Sequence, residues 1–338
     1  MHRHKRISNV RKKVLDLWSN KYWKFILDNI DEDGIWEWDC ENISSNSNIT
    51  WDIIESNPDK PWDWENISFN PNITWDIIES NPDKPWDWEN ISQNLNITWD
   101  IIESNPDKPW EWEAISANLN ITWDIIESNP DKPWDWDEIS ANPNITMDII
   151  KNHPDIPWDW YYISKNPNIT WDIIESNPDK DWNWDSISMS PNITMDIIQD
   201  NPDKPWDWTF VSQNINITWD IILLNSYIDW DWEAISCNEC ITMEIIKDNI
   251  DKEWSWKYIS ENPNLTWNMI NEYPNKAWDW DEISSNEFTK QKTNFLVEEY
   301  HKHLMAYRIQ YRWKNALVNP NCQLGIQKIE RDMDFAGL

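Results

Sequence analysis

The chain has 338 residues, a formal net charge of −33, 32 tryptophans, 20 prolines and only 3 glycines. Hydrophobic residues make up 40% of it, so there is apolar material for a core, and simple disorder is excluded despite the charge. A field this acidic repels nucleic acid and membrane surfaces and favours basic partners.

The first segment, 1–35, opens on a basic stretch: residues 1–24 hold 8 Lys and Arg against one acid. "HRHKRISNVRKK" reads either as a solvated tail that balances the acidic array or as a nucleic-acid contact or localisation signal. No apolar run of roughly 7–15 residues follows it, so no secretory leader is expected. No run of roughly 18 apolar residues occurs either, so no membrane span is expected. The four cysteines (Cys40, Cys237, Cys240, Cys322) are too irregular for a disulfide framework. A reducing cytosol is the expected compartment. "WKFILDNI" (Trp23–Ile30) aligns with the later "WDIIESNP", so residues 10–30 are read as a degenerate half-unit.

Residues 36–288 form a tandem array. A Trp-x-Trp pair occurs eleven times, at Trp36/Trp38, then from Trp62/Trp64 every 24 residues to Trp278/Trp280. The first spacing is 26, because "WEWDCENIS" carries two extra residues. Each unit predicts two short helices of roughly two to three turns. The first starts around "DKPW", with Asp83 as cap or Pro85 at the first helical position. Trp86 and Trp88 would then lie on nearly opposite sides of one helix, one facing the second helix of its unit and the other the preceding unit. The second starts after Thr74, a good N-cap, with Asp76 favoured by the helix dipole. Ile73 and Ile78 stand at the spacing of a hydrophobic staple. Pro82 stops it near Asn81. Helices this short must bury their apolar faces against neighbouring units, which predicts an all-α solenoid of helix-turn-helix 24-residue repeats with helical caps. Helix layers at the usual spacing make an open stack of about 100 Å.

Several motifs have a plainer reading beside a functional one. The slot of Trp75 is Trp in seven units and Met in three (Met147, Met195, Met243), and Met substitutes for shape rather than for a stacking surface. The tryptophans are therefore read as packed between helices, not as an exposed ladder for bases or sugars. Asn-x-Ser/Thr occurs twelve times and is read as turn asparagines with threonine caps rather than glycosylation acceptors. The single Cys-x-x-Cys, Cys237 and Cys240, lies between two helices with no second ligand pair nearby, so no metal or redox site is expected. No calcium loop, phosphate loop or nucleophile motif occurs. No catalytic residue, cofactor or metal is assigned.

Between residues 25 and 289 there are 12 basic and 55 acidic residues, a net charge of −43. The two positions after Trp-x-Trp vary most and would face outwards. They carry Tyr161, Tyr162, Phe210 and Tyr258, the candidate partner-binding residues, since aromatics are enriched at binding hot spots.

The last segment, 289–338, starts like a unit and then predicts one long amphipathic helix through Leu296, Tyr300, Leu304, Tyr307 and Tyr311. Arg308, Arg312 and Lys314 lie on it with Trp313. It is read as a cap with a basic tail.

"NPNITWDIIESNPDKPWDWE" resembles the tryptophan- and asparagine-rich tandem repeats in proteins of giant DNA viruses that infect amoebae, the mimivirus relatives. The C-terminal "HKHLMAYRIQYRWKNALVNPNCQLGIQKIERD" resembles the tail of many of those proteins. The likeness covers most of residues 36–338. It implies a viral origin and a place in the host cytoplasm or the virion, and it supplies no activity. Where the pattern's Pro before Trp-x-Trp is lost, at Asp181, Asp229, Glu253 and Ala277, looser packing is expected. The expected function is a non-enzymatic, monomeric scaffold that binds a protein partner, a host or viral factor of basic character. The alternatives are a structural or packaged virion component, or an acidic nucleic-acid mimic that sequesters basic proteins.

Overall fold

The computed structural model describes residues 2–29 and 40–318, with the side chains of 10–29, 40–303, 305, 306 and 309. Trp36 and Trp38, the basic side chains of 2–9, Cys322, and the side chains of Leu304, Tyr307, Arg308, Tyr311, Arg312, Trp313 and Lys314 lie outside the described residues. Among the described residues every regular element is an α-helix. The solenoid of 24-residue helical repeats is what the chain forms.

The described chain divides into two compact units, residues up to Lys24 with those from Gln291 on, and the stretch Phe25–Lys290. In the first unit, parts of the helices His2–Asp28 and Thr289–Val318 meet. The buried Trp18 ring lies 5.5 Å from that of Phe295, and Lys21 Nζ sits 5.0 Å from the same Phe ring.

The second unit is the array. Its first helices recur from Cys40–Ser45 through Trp64–Phe69 and Trp88–Gln93 to Trp280–Ser285, and its second helices from Trp51–Ser56 to Trp267–Glu272. All but Trp160–Ile163 have six residues, less than the two to three turns expected. The boundary also moves. The first helix begins at Trp88, the second indole of the pair, with Asp87 as N-cap accepting the N–H of Asn90 at 2.8 Å. Asp83, Pro85 and Trp86 therefore precede the helix, and the two tryptophans are not on opposite sides of it. Thr74 does stand at the N-cap of the second helix, but its hydroxyl makes no cap bond. At Thr146, Thr194, Thr242 and Thr266 the hydroxyl accepts one. Ile73 and Ile78 are both buried, as the staple requires. The helix ends at Asn81, whose amide donates back to the Ile77 carbonyl at 2.8 Å.

Hydrogen bonds tie each unit to the next. Ser68 Oγ donates to the Trp64 carbonyl and accepts the N–H of Asp87, one unit on, at 2.9 Å. Asn94 Nδ2 donates to the carbonyls of Ser68 and Asn70, one unit back, at 3.0 and 3.1 Å, and its Oδ1 accepts the N–H of Asn96. Asn96 Nδ2 donates to the carbonyls of Pro71 and Ile73. These asparagines and serines, most of them buried, satisfy backbone groups that helices of six residues leave open at their ends.

The same bonds join the last unit to the first. Asn46 Nδ2 donates to the carbonyls of Ser284 and Asn286 at 2.9 and 3.2 Å, and Asn48 Nδ2 to that of Glu287 at 3.0 Å. Cys40–Ser45 packs beside Trp280–Ser285 as each first helix packs beside the next. The open stack expected from layer spacing is corrected: this unit closes on itself. The cause is a wedge. First helices lie side by side, second helices stand further apart, and indoles fill the difference, so each unit turns the array in the same sense.

Two adjustments complete the closure. Cys40, not Trp38, stands 24 residues before Trp64, and the helix starts at each of them. The two extra residues thus lie ahead of the repeat register. The final turn of His2–Asp28 ends like a second helix. Asn29 N–H and Nδ2 donate to the carbonyls of Ile26 and Phe25 at 3.2 and 2.7 Å, and Asn57 makes the same bonds to Ile54 and Ile53. Phe25 stacks on Trp267 at 4.7 Å with planes 9° apart, beside the last second helix. The half-unit read at residues 10–30 is real in this turn.

Candidate functional site

The indoles are arranged in trios that cross unit boundaries. Trp75 of a second helix, Trp88 of the following first helix and Trp110 of the next unit have ring centroids 5.3–6.4 Å apart. Trp88 and Trp110 are edge to face, an arrangement that the ring quadrupole favours. The first indole of each pair also donates Nε1–H to the residue that ends the preceding helix, as Trp86 does to the Asn81 carbonyl at 2.8 Å. Where Pro is absent before the pair, Trp182, Trp230, Trp254 and Trp278 keep that bond. The first three of these are more than nine-tenths buried, so the looser packing expected after Asp181, Asp229 and Glu253 does not occur, while Trp278, after Ala277, is half-buried. The bond and the trio hold the ring, and Pro adds only a preset backbone angle. A lysine from the loop before most pairs caps the trio: Lys84 Nζ lies 5.2 Å from the Trp64 ring and Lys132 Nζ 5.4 Å from that of Trp112. These lysines were not singled out from the sequence, although their 24-residue column is visible in it.

What remains exposed is the start of each first helix. The second residue of every one (Glu41, Glu65, Glu89, Glu113, Asp137, Tyr161, Asp185, Thr209, Glu233, Lys257, Asp281) is exposed. Where it can bond, it reaches the N-cap carboxylate of the next unit. Thr209 Oγ1 donates to Asp231 at 2.8 Å, and Lys257 Nζ lies 3.8 Å from Asp279. N-cap residues, carboxylates except at Asn183 and Ser255, therefore alternate with second-position side chains along a belt that follows the closed array. Two carboxyls at the start of one first helix, Asp137 and Glu138, are pushed above the ordinary range, as is Glu261 at the far end of another. For Asp137 the causes are burial and then the charge of Asp159. For Glu138 the causes are burial and then the charge of Asp135. For Glu261 they are burial and then Glu282.

The four candidate aromatics all lie on this belt, but they are not equivalent. Tyr161 occupies the second position and is 48% exposed. Tyr162, Phe210 and Tyr258 occupy the third position and are half-buried. Tyr161 and Tyr162 are in edge contact at 5.8 Å, and Lys165 Nζ lies 4.6 Å from the Tyr162 ring. Phe210 and Tyr258 each stand two units further along, with Ser186 and Ala234 in the same slot between them. The structure brings the tyrosine pair together and does not join the other two to it.

No family model, no curated protein and no solved structure matches this chain.

The remaining sequence candidates have structural posts. Cys240 fills the slot of Asn96 and Asn216, its thiol donating to the Ile215 carbonyl at 2.8 Å, a post the asparagine amide holds elsewhere. The Cys237 thiol is pushed up to about 11, by burial first and Glu261 next, so it stays protonated at neutral pH and is a poor nucleophile. His153 packs against Trp123 with ring centroids 4.5 Å apart and planes tilted by 49°, and its backbone carbonyl accepts the Trp158 indole N–H. The asparagines of Asn-Ile-Thr are bonded to the preceding unit, as Asn72 is to Ser47 and Ile49. Among the described residues no helix is long and apolar enough to cross a membrane.

Proposed function

We propose that the chain is a non-enzymatic scaffold whose carboxylate belt, studded with Tyr161, Tyr162, Phe210 and Tyr258, receives a basic segment of a protein partner. The observation that carries this reading is the division of labour along the repeat. The recurrent Trp, Ser and Asn side chains are spent on bonds between units, while the exposed second position alternates with N-cap residues, most of them carboxylates, along one line. A surface of one charge sign steers an oppositely charged segment, and aromatics within it supply contact area. The residue types suited to nucleophilic or acid–base work, Cys237, Cys240 and His153, are taken up in packing. The resemblance to giant-virus repeat proteins makes the partner a host or viral factor and the place the host cytoplasm or the virion. A closed array has no open end face for a second copy to extend, which supports a monomer.

The belt also favours a second reading, a nucleic-acid mimic that occupies basic proteins through charge alone. Titration of a fluorescent polybasic peptide separates the two. A scaffold loses about tenfold or more in affinity when the four aromatics become Ala. A pure charge mimic keeps its affinity in that variant and loses it between low and moderate salt. If the peptide does not bind at low salt, neither reading stands.

A further inference from the structure

Two cavities mark the same place six units apart. One, of about 210 Å³, is lined by Trp51, Glu55, Trp62, Trp64 and Lys84 with others. The second, of about 320 Å³, has Met195 for Trp51, Gln199 for Glu55, and Ile228 for Lys84, beside Trp206, Trp208 and Tyr227.

The chain's own lysines show what this groove holds elsewhere. Where the second helix begins with Trp, Lys84, Lys108, Lys132, Lys204 and Lys252 place Nζ 5.2–6.0 Å from the indole that starts the following first helix. Where it begins with Met, Lys180 and Lys276 come closer, to 4.5 and 4.7 Å from Trp160 and Trp256. The lysine takes the room that the smaller side chain leaves, and its ammonium gains by lying nearer the ring face. In the unit of Met195 both the indole and the lysine are replaced. Trp208 is there the one exposed indole of its slot among the described residues, at 36%. The other lysine-less unit, with Ile156, keeps Trp123 and closes it with His153. Lys204 borders the groove, but its Nζ is 6.0 Å from the rings of Trp171 and Trp184 in the preceding trio. Asp200, Asp203 and Asp229, all exposed and next in sequence to lining residues, keep the mouth negative.

We propose that this groove receives one lysine side chain of a partner chain, its methylenes against Met195 and Ile228 and its ammonium over the Trp208 indole. The proposal rests on the basic-partner reading and gives that partner a defined anchor residue.

The test is NMR of the full chain with methyl-labelled methionines, the Met195 signal being assigned by its loss in Met195→Leu. The probes are a short Gly-Ser peptide with one central lysine and the same peptide with norleucine there. The lysine peptide should shift the Met195 methyl signal saturably, and the norleucine peptide should not. Ile228→Lys supplies the ammonium from within and should weaken the response by about tenfold or more. No shift at Met195, an equal response to norleucine, or an unchanged response in Ile228→Lys overturns the proposal. An oligolysine peptide that binds the chain without moving Met195 overturns the groove and leaves the belt standing. A single-lysine response with no dependence of oligolysine binding on the four belt aromatics does the reverse.

Discussion

Asn46 holds Asn286 across almost the whole array: its amide reaches the Asn286 carbonyl at 3.2 Å and the neighbouring Ser284 carbonyl at 2.9 Å. Asn238 makes the equivalent bonds to Asn214 and Ser212 inside the array, at 3.0 and 2.9 Å. The two positions should therefore respond alike. Asn46→Ala and Asn238→Ala are each expected to destabilise by about 1–3 kcal/mol, because each strands buried carbonyls. Urea denaturation measures this. A neutral Asn46→Ala beside a costly Asn238→Ala would mean that the first unit is a free end.

The serine relay is as demanding. Ser92 Oγ donates to Trp88 and accepts the N–H of Glu111 at 3.0 Å. Ser92→Ala removes the acceptor for a backbone donor at a unit junction and should lower stability by about 1–2 kcal/mol. A melting temperature equal to that of the parent would show that water replaces the hydroxyl.

Cys240 points to a stabilising change. Its thiol makes one bond to Ile215, whereas Asn216 in the same slot makes two, to Pro191 and Ile193. Cys240→Asn restores the amide and should stabilise by about 0.5–1.5 kcal/mol. Thermal unfolding under reducing conditions is the measurement, and a lowered midpoint would contradict it.

Met195→Trp should fill the groove with the side chain that most units carry there. A gain of about 1 kcal/mol is expected, together with loss of the lysine-peptide response. Calorimetry reads the first effect. A loss of stability would show that Gln199, Tyr227 and Ile228 have reshaped the groove so that an indole no longer fits.

Glu261 gives a pH dependence of defined sign. Burial and the neighbouring Glu282 raise its carboxyl above the ordinary 4.5, so the folded state prefers it protonated. Its contribution to stability is full below that ordinary value and is lost as the pH rises through the raised one. Glu261→Gln should therefore melt higher than the parent at pH 7, and the gap should close as the pH falls to about 4.5. A gap that persists or widens in acid would place the cause elsewhere.

The sequence carried the period, the second helix with its Thr74 cap position and Asn81 stop, and the half-unit that surfaces as Phe25–Asn29. These were legible because each rests on local chemistry: a cap, a staple, a proline. The start of the first helix was missed by three residues. Pro85 looked like a first helical residue, yet the chain turns there, with the Trp86 N–H bonded to the Lys84 carbonyl, and the Trp86 indole bonds Asn81. Closure was not legible at all, since it follows from a small turn per unit that packing sets and no motif spells. The lysine caps were present as a column, but their partners are indoles one unit away. Of the belt, the variability of the two positions after Trp-x-Trp was legible in the sequence. Their unequal exposure was not, because the third residue of a helix of six leans against its neighbour.

Closure has a consequence for how the molecule is made. Phe25 emerges early in synthesis and must wait for Trp267, which emerges late, before its ring is covered. Throughout translation the growing chain therefore presents a raw edge, with unpaired carbonyls and bare aromatic surface of the kind that chaperones and proteases recognise. The edge is sealed once the last repeat reaches the first, so the two ends of the array complete each other only after the whole stretch between them has been made.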